Sequence, residues 1–148
     1  MVQRYLQDMI TQDALSSGKI AFISGPRQVG KTTLVEDLLS QRNQSANYFS
    51  WDDEEFRKIW IIGAKDLLAT KAKKSIVAFD EIHKDRKWKS KLKGLYDFYK
   101  RDLQFIVTGS ARLDFYRKVT DESKERRAPI RHPGVSIISM RRFLGSLV

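Results

Sequence analysis

The chain has 148 residues, of which 41% are apolar and 11% aromatic, so it can bury a hydrophobic core and is not disordered by composition. No apolar run approaches the roughly 18 residues of a membrane span, and the N-terminus lacks the pattern of a signal peptide. Cysteine is absent, which excludes disulfides, thiolate metal sites and cysteine nucleophiles. These observations predict one cytoplasmic domain without membrane contact.

The net charge of +10 is unevenly distributed along the chain. Residues 75–148 carry 17 basic and 9 acidic side chains, so +8 of the total lies in this half. Such a bias favours polyanionic partners, which include nucleotide phosphates and nucleic acid. A nucleic acid or protein partner bound through the basic C-terminal half therefore stays open, although the lysines at 84–101 are also typical of a solvated helix face.

Hydrophobic periodicity predicts alternating strands and helices. Short apolar runs typical of strands covered on both faces occur at residues 19–24, 47–51, 75–79, 104–108 and 135–139. Helical spacing of apolar residues predicts helices at 1–16, 31–39, about 52–68, 88–99 and 141–148. Strands joined by helical crossovers pair in parallel, so the expected fold class is α/β, a three-layer core with helices on both faces of a parallel sheet.

The segment Gly25-Pro-Arg-Gln-Val-Gly-Lys-Thr32 fits the phosphate-loop pattern G-x-x-x-x-G-K-[ST], or Walker A motif, between a predicted strand and a predicted helix. Its two glycines allow backbone N–H groups to point at a phosphate, and the helix start adds its positive dipole end. In this pattern the lysine reaches the β- and γ-phosphates and the threonine hydroxyl binds magnesium. The predicted nucleotide-binding residues are Gly25, Pro26, Arg27, Gln28, Val29, Gly30, Lys31, Thr32 and Thr33, with Thr32 also a metal ligand.

Two predicted strands end in polar residues at the carboxyl edge of the sheet, where α/β proteins bind ligands. The acidic pair Asp80 and Glu81, in the position of a Walker B motif, is expected to supply a magnesium ligand in Asp80 and a water-activating base in Glu81. Thr108 ends another strand, where its hydroxyl can sense the γ-phosphate, and Ser110 is the second choice. A helix cap at the acidic pair and a plain turn at 108–110 are the structural alternatives.

Three motifs, Gly25 to Leu34, Phe79-Asp-Glu-Ile-His-Lys84 and Val107-Thr-Gly-Ser110, together resemble the AAA-type P-loop ATPases of the AAA_14 family. The resemblance covers roughly residues 15–112 and implies ATP as the nucleotide and a core sheet of strand order 5-1-4-3-2. Members of that family continue with a lid and a second domain, which we expect to be absent here. Residues 1–148 are therefore expected to form a single ATPase core, with an N-terminal helix at 1–16 and a weakly matched segment at 113–148.

Transition-state charge in such enzymes is often neutralised by an arginine finger. The candidates are Arg112, Arg126, Arg127 and Arg131. The sequence does not distinguish any of them from an ordinary solvated arginine on the surface. A finger would act across a subunit interface, so a homo-oligomer is one arrangement to expect. His83 follows the acidic pair closely, but a loop histidine beside a helix start indicates a structural role, and nothing argues for a role of His132.

The combined interpretation is an enzyme, a magnesium-dependent ATPase that acts as a switch or motor on an unknown partner. Its expected catalytic residues are Lys31, Glu81 and Thr108, its metal ligands Thr32 and Asp80, and its cofactors ATP and Mg²⁺. A nucleotide-binding module with little or no turnover is the alternative, because the lid and an arginine finger are expected to be absent. A P-loop kinase is a third possibility, against which Glu81 argues because a water-activating carboxylate suits hydrolysis.

Overall fold

The computed structural model of the chain describes residues 7–15, 18, 20–24, 30–109, 130–132 and 135–140, and six strands within these ranges form one sheet. The strands are β1 (Ile20–Ser24), β2 (Tyr48–Ser50), β3 (Ser75–Asp80), β4 (Leu103–Gly109), β5 (Ile130–His132) and β6 (Val135–Met140). The α-helices are α1 (Lys31–Gln41), α2 (Glu54–Ile62), α3 (Lys65–Ala69) and α4 (Trp88–Tyr99). Short turns of 3₁₀ helix lie at Ser45–Asn47 and Ile82–Lys84.

Four strands form the parallel core of the sheet. The order across the sheet is β2-β3-β4-β1-β6-β5, and β2, β3, β4 and β1 all run in the same direction. Helices α1, α2, α3 and α4 lie between successive core strands in the sequence, so each connection crosses over a face of the sheet. The predicted α/β fold class is thereby confirmed, with the first four strands in the predicted order.

The fifth predicted strand differs in direction from an all-parallel core. Residues 135–139 do lie beside β1, as the order 5-1-4-3-2 requires, but β6 runs antiparallel to β1 and pairs with an additional strand, β5. Only two residues separate β5 from β6, which is too short for a crossover and joins them as an antiparallel hairpin. The strand β5 escapes prediction because it is a short piece of a charged segment without alternation.

Both faces of the parallel strands are covered, which gives the three layers. One face carries a mainly aromatic cluster against α2, α3 and α4, with members Phe22, Phe56, Trp60, Phe79, Trp88, Leu92, Tyr96 and Phe105. The other face packs α1 and the N-terminal helical segment through Ile10, Leu15, Leu34, Val35, Leu38, Ile76, Ala78 and Ile106. Because side chains alternate along a strand, β3 directs Phe79 to the aromatic cluster and Asp80 to the side of α1.

The segment predicted as one helix over about 52–68 forms two helices. Asp53 caps α2, since its carboxylate accepts a hydrogen bond from the N–H of Glu55 at 3.0 Å. The helix ends at Gly63, whose φ of 145° is readily adopted only by glycine, and α3 begins two residues later. The single-helix prediction was wrong because helical spacing continues on both sides of this glycine.

Helical structure at the N-terminus agrees with the prediction over the described residues. Residues 7–9 are α-helical and lead into a π-helical turn at Ile10–Leu15. The side-chain amide of Gln7 donates to the carbonyl oxygen of Leu34 at 3.2 Å, which ties this segment to α1. The predicted helix at 141–148 lies outside the described residues. No helix in the described part of the chain is long and apolar enough to cross a membrane.

Candidate nucleotide site

The carboxyl ends of β3 and β4 bring two predicted site residues into direct contact. Asp80 and Thr108 are opposite each other in the parallel register, and the Thr108 hydroxyl donates to Oδ1 of Asp80 at 2.6 Å. Thr108 is fully buried and Asp80 is 8% exposed. Short hydrogen bonds to a carboxylate are strong in buried surroundings, so this contact fixes the position of Oδ1 of Asp80.

Helix α1 starts on the same side of the sheet. Gly30 precedes it with a φ of 86°, a left-handed conformation that glycine adopts without steric penalty. Lys31 is buried, and no carboxylate of a described residue lies within ion-pair distance of its ammonium group. Thr32 is half-buried, whereas Thr33 is exposed. Because an isolated buried ammonium is costly, Lys31 is suited to an anionic ligand.

The phenol of Tyr48 connects the start of α1 to the end of β3. Its hydroxyl donates to Oδ2 of Asp80 at 2.7 Å and lies close to the Thr32 side chain, which acts to lower the pKa of the phenol. Tyr48 pairs with Ala78 in the parallel register, and Asp80 lies two residues further along the same face, within reach of a long side chain. Burial raises the pKa of Tyr48 far above its ordinary value, and the hydrogen bond to Asp80 raises it further, so the phenol remains a donor.

Glu81 leaves the sheet in an uncommon backbone conformation. Its φ of 62° and ψ of 23° are left-handed, and its N–H donates to the carbonyl oxygen of Thr108 at 2.8 Å. A residue with a β-carbon loses about 1–2 kcal/mol in this region, and such strain persists where the surroundings impose it. The Glu81 side chain is only 6% exposed. The predicted base is therefore held tightly at the strand end.

His83 contacts the Glu81 carboxylate. Its Nε2 lies 2.7 Å from Oε2 of Glu81, and the ring follows in the 3₁₀ turn directly after the acidic pair. The ring also lies against Gly109 at the end of β4, because a β-carbon at that position would come 2.8 Å from Cδ2 of His83. The sequence interpretation treats His83 as structural, whereas the structure brings it onto the predicted base.

The structure brings most of the described candidates together at one edge of the sheet. The candidates at this edge are Gly30, Lys31, Thr32, Asp80, Glu81 and Thr108. Gly25, Pro26, Arg27, Gln28, Val29, Ser110, Arg112, Arg126 and Arg127 lie outside the described residues, and for Arg131 and His132 only the backbone of β5 is described.

Tyr48 also lies at this edge, and the sequence patterns do not predict it as a site residue. Its neighbours on the same face of the sheet are aliphatic, so the hydrophobic pattern of the sequence assigns the ring to the core. The one available signal is the hydroxyl, because a half-buried phenol requires a hydrogen-bond partner. The partner is defined by register, which places Asp80 diagonally across from the tyrosine.

The donor set at this edge fits a hard cation bound together with phosphates. Thr32 and Asp80 offer a hydroxyl and a carboxylate, and oxygen is the ligand type that Mg²⁺ prefers. No group of three or more His, Cys, Asp or Glu side chains among the described residues could hold a metal ion by itself. A magnesium ion at Thr32 and Asp80 would accordingly take further ligands from nucleotide phosphates and water.

The sheet has four parallel core strands, and a helix that follows Gly30 begins beside the acidic end of β3. These features define a domain of the P-loop nucleotide-binding class. A family model described as an AAA domain, AAA_14, matches residues 17–140, and the chain belongs to this family. The resemblance seen in the motifs is thereby confirmed, and the chain is a nucleotide-binding AAA-type domain. Neither the curated proteins nor the solved structures contain a match to it.

Proposed function

We propose that this domain is a magnesium-dependent ATPase whose catalytic centre lies between α1 and the ends of β3 and β4. The observation that carries the proposal is the set of contacts at Asp80, which accepts hydrogen bonds from Thr108 and from Tyr48, and the Tyr48 phenol also lies close to Thr32. The threonine of the phosphate loop and the strand-end aspartate thus lie on either side of one phenol. That arrangement suits a cation bound with ATP at the edge of the sheet.

The phosphate-binding role falls to the loop at 25–30 and to Lys31. Backbone N–H groups of the loop would surround the phosphates, and the positive end of α1 would face them. The buried Lys31 ammonium would contact the β- and γ-phosphates, which supply the negative charge missing around it. Magnesium held by Thr32 and Asp80 would neutralise part of the phosphate charge.

The hydrolytic role falls to Glu81 and Thr108. The Glu81 carboxylate would accept a proton from the water that attacks the γ-phosphate. The Thr108 hydroxyl uses its single hydrogen on Asp80, so it can contact that water only as an acceptor. In this proposal Thr108 senses the γ-phosphate by orienting the water in front of it.

Hydrolysis in this proposal serves as a switch or motor stroke that acts on a partner, either nucleic acid or protein. A cytoplasmic location is part of this proposal, because ATP is the substrate. Assembly into a homo-oligomer would let an arginine of one copy reach the phosphates bound to another, which is how AAA-type sites gain an arginine finger. The net charge of +10 favours an acidic partner surface.

The test is phosphate release measured with and without Mg²⁺, together with nucleotide binding, for the wild type and three variants. Lys31→Met is expected to weaken ATP binding, because it removes the buried charge that faces the phosphates. Glu81→Gln is expected to retain binding and to lower release by about 10² or more, the usual cost of losing a general base. Lys58→Ala, on the exposed side of α2, is the matched lysine control and should behave as the wild type.

Three outcomes would contradict the proposal. Equal phosphate release from the wild type, Lys31→Met and Glu81→Gln would mean that the observed activity does not come from this site. Tight ATP binding that depends on Lys31, combined with no release that depends on Glu81, would favour the nucleotide-binding module without turnover. ATP consumption that requires an added small acceptor would instead favour a kinase.

A further inference from the structure

The phenol of Tyr48 lies between the two predicted magnesium ligands. It donates to Oδ2 of Asp80 at 2.7 Å and lies close to Thr32, which belongs to a different layer of the fold. Asp80 terminates a strand and Thr32 is in the first turn of a helix, so no backbone hydrogen bond joins them in a common element. Tyr48 is the side chain that bridges this gap.

The two oxygens of the Asp80 carboxylate have different partners. Thr108 donates to Oδ1 and Tyr48 donates to Oδ2, and Asp80 is 8% exposed. Thr108 alone would hold one oxygen and leave the carboxylate free to rotate about that bond. The second hydrogen bond, from Tyr48, therefore determines the plane of the carboxylate and the direction in which its lone pairs point.

We propose that Tyr48 is a positioning residue that aligns Asp80 beside Thr32 for Mg²⁺, an inference that rests on the proposed function. Mg²⁺ demands nearly ideal octahedral geometry, so a small error in the direction of a ligand weakens its binding. Partners that orient metal ligands typically change metal affinity by 10- to 100-fold when they are removed. The Tyr48 hydroxyl uses its single hydrogen on Asp80, so it has none left to donate to a phosphate, and its effect should be specific to the metal.

Tyr48→Phe is the direct test, because it removes the hydroxyl and keeps the ring that packs beside α1. The probe is a fluorescent ADP analogue, titrated against the protein once with Mg²⁺ and once with EDTA. The variant should bind the analogue as the wild type does in EDTA. Mg²⁺ should raise the affinity of the wild type for the analogue, and the factor by which it does so should be about 10-fold or more smaller in the variant.

Tyr99→Phe is the matched control. Its hydroxyl donates to the carbonyl oxygen of Lys65 at 2.6 Å, far from the predicted site, and burial raises its pKa just as it does for Tyr48. This variant loses a comparable phenol hydrogen bond and should retain the full effect of Mg²⁺. Binding of Mn²⁺ at saturating ADP, followed by electron paramagnetic resonance, provides a second measurement that does not depend on the fluorescent group.

Each outcome decides the inference. A normal effect of Mg²⁺ and normal Mn²⁺ affinity in Tyr48→Phe would overturn it while leaving the proposed ATPase intact. Equal losses in Tyr48→Phe and Tyr99→Phe would overturn it as well, because the effect would then be general destabilisation. A wild type that binds the nucleotide without any effect of Mg²⁺ would refute the metal site of the proposed function and this inference together.

Discussion

The imidazole of His83 lies directly against Gly109. A β-carbon on Gly109 would come 2.8 Å from Cδ2 of the ring, closer than real β-carbons approach, and 3.1 Å from Nε2, which is also tighter than most real contacts. The same Nε2 lies 2.7 Å from the Glu81 carboxylate. The end of β4 thereby holds the position of the histidine, and the histidine in turn holds the predicted base.

Gly109→Ala should displace His83 and slow hydrolysis without unfolding the protein. The backbone at position 109 is not in the left-handed region, so the cost of the substitution is the steric contact with the ring. We expect kcat for ATP hydrolysis to fall by about tenfold, the scale on which orienting partners act, with little change in KM. Steady-state phosphate release measures both constants.

Gly94→Ala is the matched glycine control, because a β-carbon there meets nothing within 4 Å. Position 94 lies within α4, so alanine should raise the free energy of unfolding by roughly 0.5–1 kcal/mol and leave kcat unchanged. A Gly109→Ala variant with wild-type kcat would disprove the coupling between β4 and the base.

His83→Ala and His83→Gln separate a positioning role from a purely structural one. Alanine removes the hydrogen bond to Glu81, whereas the glutamine side-chain amide can donate in place of Nε2. We expect kcat to fall about tenfold in His83→Ala and to recover partly in His83→Gln, at similar melting temperatures. If His83 acts only on stability, kcat will follow the melting temperature in both variants and glutamine will rescue neither.

The parallel core and the edge that carries the candidate site can be predicted from the sequence because both depend on local patterns. Apolar runs define β1, β3 and β4, and polar residues at their ends mark the edge at which Asp80 and Thr108 meet. Strand direction is not encoded this way, since a strand has the same period in either orientation. The short link explains the antiparallel pairing of β6 with β5, but no local pattern sets the antiparallel pairing of β6 with β1.

The side-chain network at the site depends on register, which local patterns do not contain. Tyr48 reaches Asp80 because β2 pairs with β3 in a register that places the two residues on a diagonal. His83 reaches Glu81 because the backbone of Glu81 turns into the left-handed region after the strand. The first contact follows from tertiary structure and the second from a local backbone turn. A tyrosine in the core and a histidine in a loop are both common, so neither residue type signals its contact.

Backbone strain at Glu81 should be measurable against a second residue with the same conformation. Lys74 has a φ of 63° and is exposed, which makes it the natural comparison for the φ of 62° at Glu81. Lys74→Gly should raise the free energy of unfolding by about 1 kcal/mol, because glycine carries no penalty there, and should leave phosphate release unchanged.

Glu81→Gly should stabilise the protein less than Lys74→Gly, because it also removes the contact with His83, and it should abolish hydrolysis. Urea denaturation and phosphate release measured on the same two preparations give both quantities. A loss of stability in Lys74→Gly would show that the left-handed conformation is not strained in this protein, and the same conclusion would then apply to Glu81.

Asp85 should make the stability of the fold depend on pH. Trp60 donates to Oδ2 at 2.8 Å, Lys91 lies 3.0 Å from the same oxygen, and the N–H of Lys87 donates to Oδ1. Burial acts to raise the pKa of Asp85, but these hydrogen bonds and the Lys91 charge outweigh it and lower the pKa below its ordinary value. The folded state therefore prefers the ionised form, and the stabilisation is complete above the unfolded pKa of about 4.

Asp85→Asn should lower the free energy of unfolding at pH 7 by about 1–2 kcal/mol, the usual worth of hydrogen bonds to a charged group. The difference from the wild type should shrink as the pH falls below about 4, because the wild-type carboxylate then takes up a proton and loses the same interactions. Asp97→Asn is the control, since Asp97 is 49% exposed in its pair with Lys93 and should change stability by less than about 0.5 kcal/mol. Urea denaturation at pH 7, 5, 4 and 3 measures the difference, and a gap for Asp85→Asn that stays constant down to pH 3 would contradict the lowered pKa.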